Sequence, residues 1–150
     1  MSPPYLILGI GNCLLTDDGV GIHAVRCLQE DPPPQTQVAE TGTDFMSAIP
    51  LLEACTRALV IDAMEAGGAP GSLYRCRTTD LAAEGQKFSL HELGLLSVLE
   101  FIEEKRRPEV HLLGVEPARI AYGLELSAEL SVVLPRVVAA ARQIVADFSR

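Results

Sequence analysis

The sequence has no paired cysteines. Cys13, Cys27, Cys55 and Cys76 are scattered, with no C-x-x-C spacing, so neither a thiolate-rich structural zinc site nor a disulfide framework is expected. In a reducing compartment they read as small, buried thiols. No apolar run reaches the ~18 residues that a membrane span needs. The opening Met1-Ser-Pro-Pro-Tyr-Leu-Ile-Leu has no basic stretch and runs straight into a strand-like segment. It does not read as a signal peptide, and a cytoplasmic location is the expectation. Positive charge is also short. Twelve Lys+Arg stand against twenty Asp+Glu, a formal net charge of −8. Phosphate contacts require a basic face, so nucleic acid is disfavoured as a partner, as is insertion at an anionic membrane.

What is present is an ordinary globular composition, 48% apolar and 21% charged over 150 residues. That is one domain's length, and a chain of this size buries roughly 68–70% of its unfolded surface without a metal or disulfide staple. Strand-like and helix-like patterns alternate. Tyr5–Ile10, Ala58–Ala63 and Val110–Val115 are continuous apolar runs, as strands covered on both faces require. Gln37–Thr41 and Ser72–Arg77 are weaker strand candidates.

Between the strands, Val20, Ala24, Cys27 and Leu28 fall at helical spacing, with Asp17 and Asp18 placed to cap that helix and Asp31-Pro-Pro-Pro34 ending it. Two short helical pieces are expected around Pro50. Ser89-Leu-His-Glu92 has the form of a capping box ahead of a helix on Leu93, Leu96, Leu99 and Ile102 that runs to Lys105-Arg106-Arg107. Ser127 can cap a last helix on Leu130, Leu134, Val137, Ala141, Val145 and Phe148, which Pro135 should bend or start. The predicted fold is a single α/β domain over residues 1–150, three-layered, with a twisted, mostly parallel sheet of about five strands and helices on both faces.

Two places can carry chemistry. The turn Gly9-Ile-Gly-Asn-Cys-Leu14 follows the first strand, but a dinucleotide fingerprint needs a glycine where Leu14 stands. Asp17 and Asp18 would also repel a phosphate at that helix start. The second place is a constellation. Asp18 follows the first strand, Asp62 ends Leu59-Val-Ile-Asp62, and His91 opens a later helix. In open α/β sheets, ligands bind outside the carboxyl ends of the strands, where these three side chains can meet. Two carboxylates and an imidazole suit nickel, zinc or manganese and leave coordination positions open. His23 and His111 sit inside a helix and a strand and read as structural. Cys13 reads as an inert thiol, the alternative being a Cys–His nucleophile.

The stretch Gly9-Ile-Gly-Asn-Cys-Leu-Leu-Thr-Asp-Asp-Gly-Val-Gly21 resembles the opening motif of the nickel-iron hydrogenase maturation endopeptidases. Glu40-Thr-Gly-Thr43, Leu59–Ala63, Ser89–Leu95 and Leu112–Pro117 resemble that family's later motifs in the same order. The resemblance implies a cytoplasmic endopeptidase that removes a C-terminal extension from the precursor of a hydrogenase large subunit after nickel insertion. The substrate's nickel would be the recognition signal, met by Asp18, Asp62 and His91, with zinc or cadmium as surrogates in vitro.

Asp17, Glu40, Gly42 and Thr43 would support the site or touch substrate, and a monomer is expected. The family commonly has aspartate in place of Glu40 and more glycine in that motif, which bears on substrate choice. Two mechanisms fit. In one, the metal polarises the scissile carbonyl or a water while a carboxylate is the base; in the other, the metal only docks substrate and the acid pair moves the protons. Asp17 or Glu40 is the spare carboxylate in either. A non-catalytic module that checks nickel loading would use the same ligands.

Overall fold

The computed structural model describes residues 2–83 and 90–150. Five strands form one sheet: β1 (Tyr5–Ile10), β2 (Thr36–Gly42), β3 (Arg57–Ala63), β4 (Leu73–Arg77) and β5 (Glu109–Val115). Their order across the sheet is β2-β1-β3-β5-β4, with every pair parallel except the edge pair β4–β5. The helices are α1 (Val20–Glu30), α2 (Ile49–Glu53), α3 (Thr78–Ala83), α4 (Leu90–Phe101) and α5 (Ala128–Phe148).

Side chains alternate across a strand, and here the alternation divides the core in two. Ile7, Leu59, Ile61, Leu113 and Val115 face a layer made by α1 and α5. Leu6, Leu8, Ile10, Ala58, Val60 and Leu112 face a layer made by α2 and α4. Both faces of the three central strands are therefore dry, which is why they read as unbroken apolar runs. The expected three-layer, mostly parallel architecture is the one observed.

Four local readings change. Asp17 and Asp18 do not cap α1. They lie in a short 3-10 turn, Thr16–Gly19, and Gly19 stands at the cap position with no side-chain hydrogen bond. Cys27 is exposed, outside the buried face of α1. Helix α4 ends at Phe101, short of the basic run, and just beyond it the Arg107 Nε donates to the Ile102 carbonyl at 2.8 Å. Its buried face is Leu95 and Val98, with Ile102 buried just past its end, while Leu96 and Leu99 are only partly covered. The capping box of Ser89 and Glu92 lies outside the described residues.

Helix α5 runs unbroken through Pro135 and starts where the Ser127 Oγ accepts from Leu130 N–H. No helix among the described residues is long and apolar enough to cross a membrane.

The topology fixes where a site can form. From β1 the chain crosses to β2 on one side, then returns past β1 to β3 on the other, so the segments leaving β1 and β3 emerge side by side at the carboxyl edge. Such a reversal leaves a crevice between the two strand ends.

Candidate active site

Asp62 is the penultimate residue of β3, paired in register with Gly114 of β5, and its side chain is buried. Its Oδ1 accepts the Ala63 N–H at 2.8 Å and lies 3.2 Å from the His91 Nδ1. Its Oδ2 is buried and has no hydrogen-bond partner among the described residues. Burial pushes the Asp62 carboxyl up to about 6; the Asp18 charge pushes the same way, and the His91 contact and the Ala63 N–H oppose them.

Asp18 comes from the 3-10 turn after β1. Its Oδ2 accepts the Asn12 N–H at 2.9 Å and stands 3.5 Å from the His91 Nε2. The turn that a nucleotide phosphate would need is therefore occupied by the chain's own carboxylate. Gly11 makes the approach possible. Its φ of +127° favours glycine, and a Cβ there would stand 2.2 Å from the Asp18 carbonyl oxygen and 3.3 Å from Asp62 Oδ1.

His91, near the start of α4, closes the group from the opposite layer. One ring nitrogen faces each carboxylate, so the imidazole spans Asp18 and Asp62. The Phe45 ring packs at 5.9 Å from the imidazole, between centroids, and fits against α4 only because residue 94 is glycine: a Cβ there would come within 2.5 Å of the Phe45 ring. The structure thus brings Asp18, Asp62 and His91 together. Two acids bridged by an imidazole can store and pass a proton, and each carries oxygen or nitrogen donors for a cation. Among the described residues, however, no three His, Cys, Asp or Glu side chains already converge on a metal-sized point.

The supporting residues divide. Asp17 is completely buried and saturated. Its Oδ2 accepts from the Ala118 and Arg119 N–H groups, each at 2.9 Å, and from Ser127 Oγ at 2.7 Å; its Oδ1 accepts the Ser127 N–H at 2.8 Å. Burial works to raise its carboxyl, and the donors of Ser127, Arg119 and Ala118 outweigh it and hold it below the ordinary carboxylate range. Glu40 is engaged by Arg26, with Nε to Oε2 at 3.1 Å and Nη2 to Oε1 at 3.0 Å. Gly42 has φ +59°, and its carbonyl accepts the Gly11 N–H at 3.1 Å, tying this motif to the first. Thr43 is exposed. Cys13 is half-buried, and the ring nitrogens of His91 face the two acids. Burial holds the His23 imidazole below its ordinary value, and His111 packs on the Phe148 ring.

Sequence reasoning gave no separate role to Phe45 or Glu116. Glu116 is buried just beyond β5, and its Oε1 accepts from Ala66 N–H, Gly68 N–H and Tyr74 O–H at 2.8–2.9 Å. It thereby fixes the loop that leaves β3 directly after Asp62. A glutamate between a buried strand and Pro117 was the available signal, since a buried carboxylate requires donors.

Residues 22–144 match the family model described as "Hydrogenase maturation protease". The chain is 30% identical over 149 residues to a hydrogenase 2 maturation protease of Escherichia coli, covering 92% of this chain and 90% of that one. It is 35% identical over 98 residues to a hydrogenase expression/formation protein, HupD, of Rhodobacter capsulatus, covering 63% of this chain. Against several such formation proteins it spans only part of their length, from 47% of the Rhodobacter protein to 60% of one from Azotobacter chroococcum. In fold it is similar to the hydrogenase maturating endopeptidase HybD from E. coli, with a TM-score of 0.84 at 24% identity over 95% of this chain and 92% of that one. With the fold, its match to the family model and its relatives in agreement, this chain belongs to the hydrogenase maturation protease family.

Proposed function

We propose that the chain is an endopeptidase that removes the C-terminal extension of a nickel-iron hydrogenase large-subunit precursor after nickel has been inserted. Family membership supports the reaction class. The observation that carries the reading at this site is the Asp18–His91–Asp62 bridge at the carboxyl edge, with the Asp62 Oδ2 buried and unpartnered. A buried carboxylate oxygen without a donor costs on the order of 1–3 kcal/mol, a cost that a functional site tolerates when a ligand is to supply the missing contact.

The nickel belongs to the substrate. In the free enzyme His91 spends both ring nitrogens on the two acids, so the donors are tied to one another and metal affinity is low. When the precursor docks, His91 releases one carboxylate and the three side chains turn to the arriving ion. There the ion would polarise the adjoining peptide carbonyl or only dock the substrate; in either case a carboxylate oxygen left free of the ion would take a proton from the attacking water and give it to the amine nitrogen as the peptide C–N bond breaks. Zinc or cadmium would serve as surrogates. Glu40, Gly42 and Thr43 support the neighbouring strand end and meet the substrate chain, and the enzyme works as a monomer in the cytoplasm.

The test is incubation with nickel-loaded precursor, reading loss of the C-terminal peptide by mass. Cleavage is expected with the wild type and abolished in Asp18→Asn, Asp62→Asn and His91→Ala, each checked for folding by circular dichroism. Binding without cleavage would make the chain a loading sensor. Stoichiometric, tightly held metal on the purified free enzyme would count against nickel as substrate cargo.

A further inference from the structure

The segment 14–17 and the loop between β5 and α5 turn a set of apolar side chains outward. Among the described residues seven large hydrophobics are exposed, and four of them, Leu14, Ile120, Tyr122 and Leu124, lie on these two adjoining stretches. Tyr122 is 92% exposed and Leu124 68%. Exposed apolar side chains gathered on adjoining segments mark interaction sites.

The loop is not loose. Its polar backbone is turned inward and satisfied. Ala118 and Arg119 donate to Asp17, Ala121 donates to the Thr16 Oγ1, and the Arg119 carbonyl accepts from the Thr16 hydroxyl. Thr16 N–H donates to the Gly123 carbonyl at 2.9 Å, and Gly123 N–H donates to the Leu14 carbonyl at 2.9 Å, making a short parallel bridge. A hollow of about 500 Å³ opens along this loop, lined by Thr16, Arg119, Tyr122, Gly123 and Leu124 among others. The chain has therefore fixed the loop's backbone with buried polar groups while leaving its apolar side chains in water.

The patch is also joined to the site. The Leu14 N–H donates to the Asn12 Oδ1 at 3.0 Å, and the Asn12 N–H donates to the Asp18 Oδ2. Two hydrogen bonds separate the exposed Leu14 from the acid that faces His91.

We propose that Leu14, Ile120, Tyr122 and Leu124 form the docking surface for the folded body of the large-subunit precursor, seated on an apolar patch of that subunit while its tail reaches Asp18, Asp62 and His91. The inference rests on the reaction proposed above. Continuity with the site selects this occupant, since Leu14 lies on the same turn as Asp18 and is joined to it through Asn12. The size agrees: four side chains make a small, transient contact, as suits an enzyme that must release each subunit once cut. A rigid backbone presenting a tyrosine and leucines also loses little entropy on binding, so few side chains suffice.

The experiment compares wild type, the double variant Tyr122→Ser/Leu124→Ser and the control Val132→Ser, an exposed apolar residue on α5. Binding to nickel-loaded precursor is read by biolayer interferometry, cleavage by mass, and self-association by sedimentation velocity. The double variant is expected to raise both Kd and KM ~10-fold or more, the loss of about 1.4 kcal/mol of contact, with an unchanged melting temperature; Val132→Ser leaves both constants as they are. Cleavage with KM unchanged in the double variant overturns the docking surface and leaves the protease reading intact. Binding that the double variant weakens, with no cleavage by any form, supports the surface and overturns the protease reading. A wild-type dimer that the double variant dissociates, at unchanged precursor affinity, assigns the patch to self-association and overturns the proposal. A wild type that neither binds nor cuts the precursor overturns both.

Discussion

The Asp17 carboxylate grips Ser127 twice, taking its backbone N–H at 2.8 Å and its hydroxyl at 2.7 Å across 110 residues of chain. Ser127 in turn caps α5 through Leu130 N–H, so one buried acid sets both the loop after β5 and the start of the last helix. Asp17→Asn can offer only one acceptor oxygen to these donors and places an NH2 against N–H groups. We expect a loss of about 3 kcal/mol by urea unfolding at pH 7. The sign with pH follows from the lowered carboxyl. Because the folded state holds Asp17 ionised more firmly than the unfolded chain does, its contribution is complete above about pH 4 and is lost as acid drives the pH down through the folded value. The gap between wild type and Asp17→Asn should therefore narrow below about pH 4.

Asp62→Asn separates function from stability. The substitution removes a buried charge whose Oδ2 has no partner, so the folded protein at pH 8 is expected to be as stable as the wild type or more so, by about 1 kcal/mol in calorimetry. Cleavage of nickel-loaded precursor should fall by at least ~100-fold in the same protein. A large drop in both would mean that Asp62 serves the fold.

Gly94→Ala tests the aromatic support of His91. A new methyl would meet the Phe45 ring, which can swing, so the cost is moderate, about 1–2 kcal/mol, and the fold survives. The ring would lose its seat beside the imidazole. Turnover is expected to drop by roughly tenfold, as a displaced catalytic group predicts. Phe45→Leu in the Gly94→Ala background should recover part of it, because the smaller side chain leaves room for the methyl.

Glu40→Gln should hardly touch stability. The Arg26–Glu40 pair is geometrically good, but Arg26 is 54% exposed, and surface pairs are worth about 0–1 kcal/mol. Its unfolding midpoint is expected to match the wild type within that range. A change in KM without a change in stability would place Glu40 against substrate; unchanged kinetics would leave it only the ion pair with Arg26.

The strands and the site's three residues were legible in the sequence because each carries a local signal. Tyr5–Ile10, Ala58–Ala63 and Val110–Val115 are apolar runs that only a doubly covered strand makes, and Asp62 and His91 interrupt or follow such patterns. What the sequence hid depends on long-range contact. Asp17 and Asp18 look alike as neighbours before a helix, yet the turn Thr16–Gly19 sends one inward to residues 118, 119 and 127 and the other to the crevice. Helix α4 stops before the basic run, and Arg107 from that run reaches back to the Ile102 and Glu100 carbonyls, a contact that helical spacing does not encode. The match of Phe45 to Gly94 is shape alone, which no spacing rule encodes.

Strand β3 lies in the middle of the sheet, flanked by β1 on one side and β5 on the other. Asp62 therefore gains its last neighbour, Gly114, only when the fifth strand arrives. During synthesis from the N-terminus, the residues through α4 exist for some time without β5, and in that interval the two acids and the imidazole have no enclosed place to meet. A finished sheet and an assembled acid–imidazole group are therefore acquired in the same step.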